Sequence, residues 1–235
     1  PGTLPEGRPQ TLNPETRPPK SVRAVIFDFD GTLAELNIDF ARMRQAVLKL
    51  IDEEGVLSED LASLYVLEMI EAAGAKLAPT GTDRRSVFQE TAFGIIRGIE
   101  MEAACRGRLL SGTLPLLEGI RRSGRKSAVV TRNCRSAVLQ VFPQIDVYCD
   151  LLLTRDDVPR VKPAADHLIR SMLTLETTPR NSAVVGDHPM DMRMGKDAGT
   201  WAVGVLSGHS AEQDLRRAGA DLVLATVADL IPLFS

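Results

Sequence analysis

Asp28 and Asp30 stand two residues apart at the end of an apolar run, Val22–Phe27, and are followed by Gly31 and Thr32. On an extended chain residues i and i+2 point to the same side, so both carboxylates can face one site. Gly31 then permits a sharp change of direction. Two nearby carboxylates suit a division of labour. One stays ionised as nucleophile or metal ligand, and the other is biased by like charge toward holding a proton. Paired Asp residues also close strands as simple turn formers. An EF-hand loop begins Asp-x-Asp as well, but wants Gly sixth and Glu twelfth. Counted from Asp28, those places hold Leu33 and Asp39, which excludes it.

The elements that would position this pair come from hydrophobic periodicity. Phe40, Met43, Val47, Leu50 and Ile51 recur at helical spacing. Ser58, backed by Glu59 and Asp60, reads as the start of a second helix carrying Leu61, Leu64, Tyr65, Met69 and Ala72, with Gly74 as its stop. Thr82 or Asp83 opens a third, through Phe88, Ala92, Ile95, Ile96, Ile99 and Ala103. The expectation is an all-helical insertion over 37–106. Strand and helix signals then alternate. A helix at Leu114–Arg122 precedes a strand at Lys126–Val130, and Asn133 caps a helix to Phe142. A strand follows at Val147–Leu153, then a helix from Pro163 at its first position to Leu173. Further strands are expected at Ser182–Gly186, Trp201–Val205 and Asp221–Leu224, with a helix after Pro189. That alternation implies an α/β core with a doubly wound parallel sheet over 21–36 and 107–235. Residues 1–20 carry Pro1, Pro5, Pro9, Pro14, Pro18 and Pro19 and read as an extended tail without a catalytic role.

Composition narrows the class. The 235-residue chain is 44% hydrophobic and 25% charged, ordinary globular usage, with a formal charge of −3 and no basic run. Neither nucleic acid nor a membrane surface is an expected partner. No apolar stretch reaches the roughly 18–20 residues of a membrane span, and the opening residues have no leader-peptide pattern. The chain opens on Pro1 rather than Met, as a trimmed or partial product would. Cys105, Cys134 and Cys149 are odd in number and lack CxxC spacing, which fits free thiols in the cytoplasm.

Other polar residues follow the expected strands. Thr131 comes after Val130 and Asp187 after Gly186. Asp191 lies four residues beyond Asp187, and Lys162 sits between the strand ending at Leu153 and its helix. Ligands of open α/β sheets bind at the carboxyl ends of strands, so these groups can share one rim. Asp28, Asp187 and Asp191 form an oxygen donor set of the kind magnesium prefers. Thr131 supplies a hydroxyl, and the amides after it can face an anion. Lys162 supplies a point charge able to bridge a phosphate and a carboxylate. Asp28 could attack phosphorus, and Asp30 could protonate the leaving oxygen and then deprotonate water. The flanking Arg132 and Asn133 are candidates chiefly through their backbone amides. Arg84, Arg85 and Arg97 could read an anionic substrate tail or line a solvated helix face. His188 is read as lining the rim, His209 as a weak substrate contact, and His167 as structural. Cys134 lacks a histidine partner for nucleophilic use.

The four motifs Asp28-Phe29-Asp30-Gly31-Thr32, Val129-Val130-Thr131, Lys162-Pro163 and Gly186-Asp187-His188-Pro189-Met190-Asp191 resemble, in order and strand context, those of the haloacid dehalogenase superfamily. The resemblance runs from about Val22 to the C-terminus. Its helical insertion is similar to the cap of the phosphoglycolate phosphatase-like branch. It implies a Rossmann-like core and a magnesium-dependent phosphatase acting on a small phosphorylated metabolite through an aspartyl phosphate. It assigns Asp28 as nucleophile and metal ligand, and Asp30 as general acid/base that also binds the metal through its backbone carbonyl. Thr131 and Lys162, with Gly31, Arg132 and Asn133, hold the phosphoryl group. Asp187 is a metal ligand, and Asp191 a ligand or a support for one. A carboxylate at Asp30 favours phosphate monoesters over the dehalogenase and phosphonate-cleaving branches. The branch usually has an Asp-Ser pair at the cap hinge, where this chain has Ala34-Glu35-Leu36-Asn37, so the substrate stays open. A phosphomutase on the same scaffold is the alternative, marked by a need for a sugar bisphosphate. A non-catalytic regulatory protein should have lost Asp28, Asp30 or Lys162, and none is missing.

Overall fold

The computed structural model describes residues 21–57, 59–78 and 82–234. The expected tail over 1–20 and the helix start at Ser58 lie outside the described residues. Six parallel strands form the central sheet: β1 (Ala24–Phe27), β4 (Lys126–Val130), β5 (Leu151–Leu153), β6 (Ser182–Gly186), β7 (Trp201–Val205) and β8 (Leu222–Leu224). Their order is β5-β4-β1-β6-β7-β8. β2 (Ala34–Glu35) and β3 (Arg108–Leu109) form a separate short antiparallel ribbon that pairs Ala34 with Leu109 and Glu35 with Arg108. Two-residue strands carry no readable alternation, so neither was visible in the sequence.

β1 and β6 are buried along their whole length. Such strands read as continuous apolar runs because helices cover both faces of a parallel sheet. Side chains still alternate between two cores. Val25, Phe27, Val129, Val185 and Val203 belong to the larger one. Ala24, Ile26, Ala128, Val130 and Val184 pack on the other face with Leu168 and Met172 of α7 (Asp166–Thr174) and Met194 of α8 (Pro189–Ala198). Each fully buried Ile, Val or Phe contributes about 1.5–3 kcal/mol by leaving water.

Between β2 and β3 lie three helices, α1 (Phe40–Glu53), α2 (Val66–Leu77) and α3 (Thr82–Ala104). Asp39 caps α1, its carboxylate accepting from the Arg42 N–H at 2.8 Å. Met43, Val47 and Ile51 turn inward from α1, toward Met69, Ile70 and Ala73 of α2 and Phe88, Ala92 and Ile96 of α3. The core helices are completed by α4 (Thr113–Arg122), α5 (Arg135–Val141), α6 (Ile145–Tyr148), α9 (Glu212–Arg217) and α10 (Ile231–Phe234). Among the described residues no helix is long and apolar enough to cross a membrane.

Several local expectations are corrected. Residues Glu59–Leu61 form one short 3-10 turn, and α2 begins only at Val66, because Tyr65 is extended (φ −68°, ψ 158°). Gly74 does not end that helix. It lies buried inside it, where a Cβ would meet the Gln89 amide of α3 at 3.2 Å, so its smallness serves helix packing. Phe40 is not core but exposed. Ile145–Tyr148 is helical and the strand starts at Leu151, the Asp150 carboxylate having accepted the Ser127 N–H (2.8 Å) just before. Pro163 stands in a turn, closed by Ala164 N–H to Val161 O at 3.0 Å, and α7 begins at Asp166. Cys134, not Asn133, holds the N-terminal position of α5.

Candidate active site

β1 is flanked by β4 and β6, with Phe27 in register with Val129 on one side and Val185 on the other. The chain fills the sheet outward from β1 through β4 to β5, then crosses back to β6. The strand order therefore reverses around β1, the place where open α/β sheets bind ligands. Asp28, Thr131 and Asp187 each lie one residue beyond the end of these three strands. The Asp28 N–H still donates to Val185 O (2.9 Å), which anchors the residue to the sheet.

Lys162 joins the cluster from the loop after β5. It is only 3% exposed. Its Nζ donates to Asp28 Oδ1 at 2.5 Å and to Asp191 Oδ1 at 2.7 Å. Burial works against the charge on Lys162, but Asp191 and Asp28 outweigh it and hold the pKa above the ordinary lysine value. Asp28, Asp187 and Asp191 offer one oxygen each, all within 4.8 Å of one another. Burial, then the charges of Asp28 and Asp191, push Asp187 up to about 8. Burial also raises Asp191 to about 6, against the pull of Lys162. One lysine leaves this set short of positive charge, and the all-oxygen donors fit a hard divalent cation such as magnesium. Asp28, Asp187 and Asp191 would hold it.

Asp187 owes its position to missing side chains around it. A Cβ on Gly31 (φ +82°) would come within 2.6 Å of Asp187 Oδ2, and one on Gly208 within 1.8 Å. The Gly31 N–H itself donates to Ala34 O (2.8 Å), so this residue gives the site room. Asp30 Oδ1 accepts the Leu36 N–H at 2.9 Å. Burial raises Asp30 to about 6, that hydrogen bond opposing and the Asp28 charge adding to the rise. Asp191 also closes the start of α8. Its Oδ2 accepts the His188 N–H (3.3 Å), while His188 Nδ1 accepts from Met190 N–H (3.2 Å). Burial pushes His188 below the usual histidine value.

Thr131 is buried, and its hydroxyl donates to Asn133 Oδ1 at 2.8 Å while accepting the Asn133 N–H at 3.1 Å. The Asn133 side chain thus braces the Thr131 turn. Arg132 does more than lend its backbone. Its guanidinium makes two 2.7 Å bonds to Glu68 of α2, donates to Lys162 O, and lies 5.6 Å from the Tyr65 ring. It therefore ties α2 of the inserted helices to the loop carrying Lys162.

A cavity of about 580 Å³ lies between the three inserted helices and this rim. Asp28, Asp30, Gly31, Thr131, Arg132, Asn133, Lys162, Asp187 and Asp191 all line it. His188 and His209 line it as well, whereas His167 is buried elsewhere, with Nε2 3.0 Å from Thr154 O. Arg84 and Arg85 pair instead with Glu54 (2.9 Å) and Glu71 (3.8 Å), and Arg97 is outside the cavity lining. The Cys134 thiol is buried and raised by that burial, unsuited to attack.

The sequence reading missed Glu100 and Arg155, both on the cavity wall. Arg155 Nη1 donates to Glu100 Oε1 at 2.5 Å and to Arg132 O at 3.1 Å, with the two residues 8% and 3% exposed. The signal was present. Glu100 stands among Ile96, Ile99 and Ala103 on the inward face of α3, where a lone carboxylate calls for a partner.

The family model of the haloacid dehalogenase-like hydrolases matches residues 25–205. The chain is 27% identical over 209 residues to an N-acetylmuramic acid 6-phosphate phosphatase of Pseudomonas putida, covering 86% of this chain and 92% of that protein. It is 29% identical over 192 residues to a haloacid dehalogenase-like hydrolase domain-containing protein of Arabidopsis thaliana, covering 81% and 72%. A haloacid dehalogenase-like family hydrolase from Streptococcus pneumoniae superposes with a TM-score of 0.62 at 20% identity, over 92% of this chain and 99% of that one, a likeness of fold.

Proposed function

The chain belongs to the haloacid dehalogenase-like hydrolases, and from that premise we propose that it is a magnesium-dependent phosphatase acting on a small phosphomonoester through an aspartyl phosphate. The observation that carries this reading is the meeting of Asp28, Lys162, Asp187 and Asp191 at the point where the strand order reverses. The relatives named above include a sugar phosphate phosphatase, which supports the reaction class. The cavity of about 580 Å³ suits a metabolite-sized substrate, and three free thiols suit a reducing cytoplasm.

In this reading an Asp28 oxygen attacks phosphorus as the bond to the leaving oxygen breaks. Lys162 holds Asp28 in place and offsets charge on the phosphoryl oxygens. Asp30, with its pKa near 6, keeps enough protonated form near neutral pH to hand a proton to the departing alkoxide. Ionised again, it takes a proton from the water that attacks the phosphorylated Asp28, and inorganic phosphate leaves. The divalent cation, when bound, screens the carboxylates from the incoming phosphate dianion. The helical cap keeps bulk water from the intermediate.

A panel of phosphorylated metabolites and p-nitrophenyl phosphate, with magnesium, tests this by released phosphate. The expected result is turnover that EDTA abolishes and Asp28→Asn eliminates. No release from any member, or undiminished release by Asp28→Asn, contradicts the reading.

A further inference from the structure

Arg132 lines the cavity, but its charge is already balanced inside the protein. Nη1 and Nη2 each donate to one oxygen of Glu68 at 2.7 Å, and Nη1 also donates to the Lys162 backbone oxygen. The planar fork of an arginine can serve a carboxylate and a carbonyl at once. Lys162 needs such a hold. Its charge rides on a flexible four-carbon stem, and residues 158–165 form no helix or strand. Yet its Nζ stands 2.5 Å from Asp28 Oδ1 and 2.7 Å from Asp191 Oδ1. Glu68, on the first turn of α2, lies outside the cavity lining, so its route to the site runs through Arg132.

The backbone of Arg132 is gripped from another side. Arg155 Nη1 donates to Arg132 O at 3.1 Å, and Glu100 of α3 holds Arg155 at 2.5 Å. Tyr65, just before α2, places its ring 5.6 Å from the guanidinium and 6.0 Å from the His188 ring. Two inserted helices thus converge on one residue. In sequence it separates Thr131 from Asn133, and in space it touches Lys162. Groups that bond to functional residues rather than to substrate set the orientation of those residues.

We propose that Arg132 is a positioning residue: held by Glu68, it fixes the Lys162 backbone so that Nζ meets Asp28, and phosphoryl transfer depends on α2 through this relay. The inference rests on the phosphatase reading above. It assigns the guanidinium to Lys162 rather than to the substrate, and it gives Glu68, outside the cavity, a part in the rate.

Arg132→Ala, Glu68→Ala and the double variant test it, each checked for folding by circular dichroism and assayed on p-nitrophenyl phosphate with magnesium. The kcat should fall by about 10²-fold in Arg132→Ala and about tenfold in Glu68→Ala, the scale of displacing a reactive group by up to 1 Å, with KM little changed. The double variant should match Arg132→Ala, because Glu68 acts through Arg132. Free guanidinium ion, far below unfolding concentrations, should restore part of the Arg132→Ala rate. A raised KM with unchanged kcat makes Arg132 a substrate ligand and overturns the inference. Losses that add in the double variant, or no rescue by guanidinium, overturn it too. A second readout needs no turnover. Acetylation of Lys162 by acetic anhydride, read by peptide mass spectrometry, should be faster in Arg132→Ala than in wild type by about tenfold or more, as local opening exposes the amine. Equal labelling of the two proteins overturns the positioning role, whatever the activity. A wild type inactive on every member of the phosphate panel overturns the phosphatase reading instead.

Discussion

Removing one partner of the Glu100–Arg155 pair should destabilise the protein far more than removing both. Glu100 comes from α3 of the inserted helices and Arg155 from the segment after β5, and they meet at 2.5 Å with 3% and 8% exposure. Burial disfavours the guanidinium charge, but the Glu100 hydrogen bond and charge outweigh it, so Arg155 stays charged. Arg155→Met leaves an uncompensated buried carboxylate, which costs about 3–5 kcal/mol. Glu100→Met leaves the guanidinium in the same position and should cost about as much. The double variant strands neither charge. It still loses the donor to Arg132 O (3.1 Å) and the acceptor for the Cys134 N–H (3.4 Å), about 1 kcal/mol each. The double should therefore sit about 2 kcal/mol below wild type, and the coupling between the sites should exceed about 3 kcal/mol. Urea unfolding of the metal-free protein, followed by far-UV circular dichroism, measures the cycle. Single variants costing under about 1 kcal/mol, or costs that simply add, would refute the argument that this pair is buried, charged and mutually dependent.

Asp30→Asn should form the phosphoenzyme from p-nitrophenyl phosphate, whose leaving group needs no proton, and then stall. Stopped-flow absorbance should show a burst near one equivalent with steady-state turnover lower by about 10²–10⁴, and a variant without a burst and with normal turnover counts against the assigned role. Gly208→Ala places a methyl 1.8 Å from the Asp187 carboxylate, so the magnesium concentration for half-activation should rise about tenfold or more, and an unchanged titration denies Asp187 a place in the metal site. The folded Asp187 pKa of about 8 lies above its ordinary value of 3.8, so the native state holds the extra proton and metal-free stability falls as pH rises through that window. His167, pushed down to about 4 by burial, acts oppositely, but only below about pH 6.5. Thermal unfolding should thus show the metal-free midpoint dropping between about pH 6.5 and 8, with magnesium raising it more at the upper end, and a midpoint insensitive to both contradicts the electrostatic reading of the cluster.

The alternation of strands and helices was legible because it depends on local pattern, whereas the order of the strands in the sheet, set by tertiary pairing, was not. Buried parallel strands such as Ala24–Phe27 and Ser182–Gly186 announce themselves as apolar runs ending in a polar residue. What stayed hidden depends on tertiary partners. Gly74 looks like a helix stop unless the Gln89 side chain packed over it is known. Val147 and Tyr148 look like strand residues, yet they belong to a helical turn that leaves Val147 exposed. Arg132 was noted for its amide, whereas its guanidinium reaches Glu68, 64 residues earlier in the chain.

The most direct test of the central claim asks where phosphorus goes. Wild-type protein mixed with substrate and magnesium, quenched in acid within a turnover and digested, should yield one phosphorylated peptide, with the acid-stable, hydroxylamine-sensitive modification on Asp28. Phosphorus on a different side chain, or steady turnover with no trapped species under conditions where Asp30→Asn also accumulates none, would contradict the account.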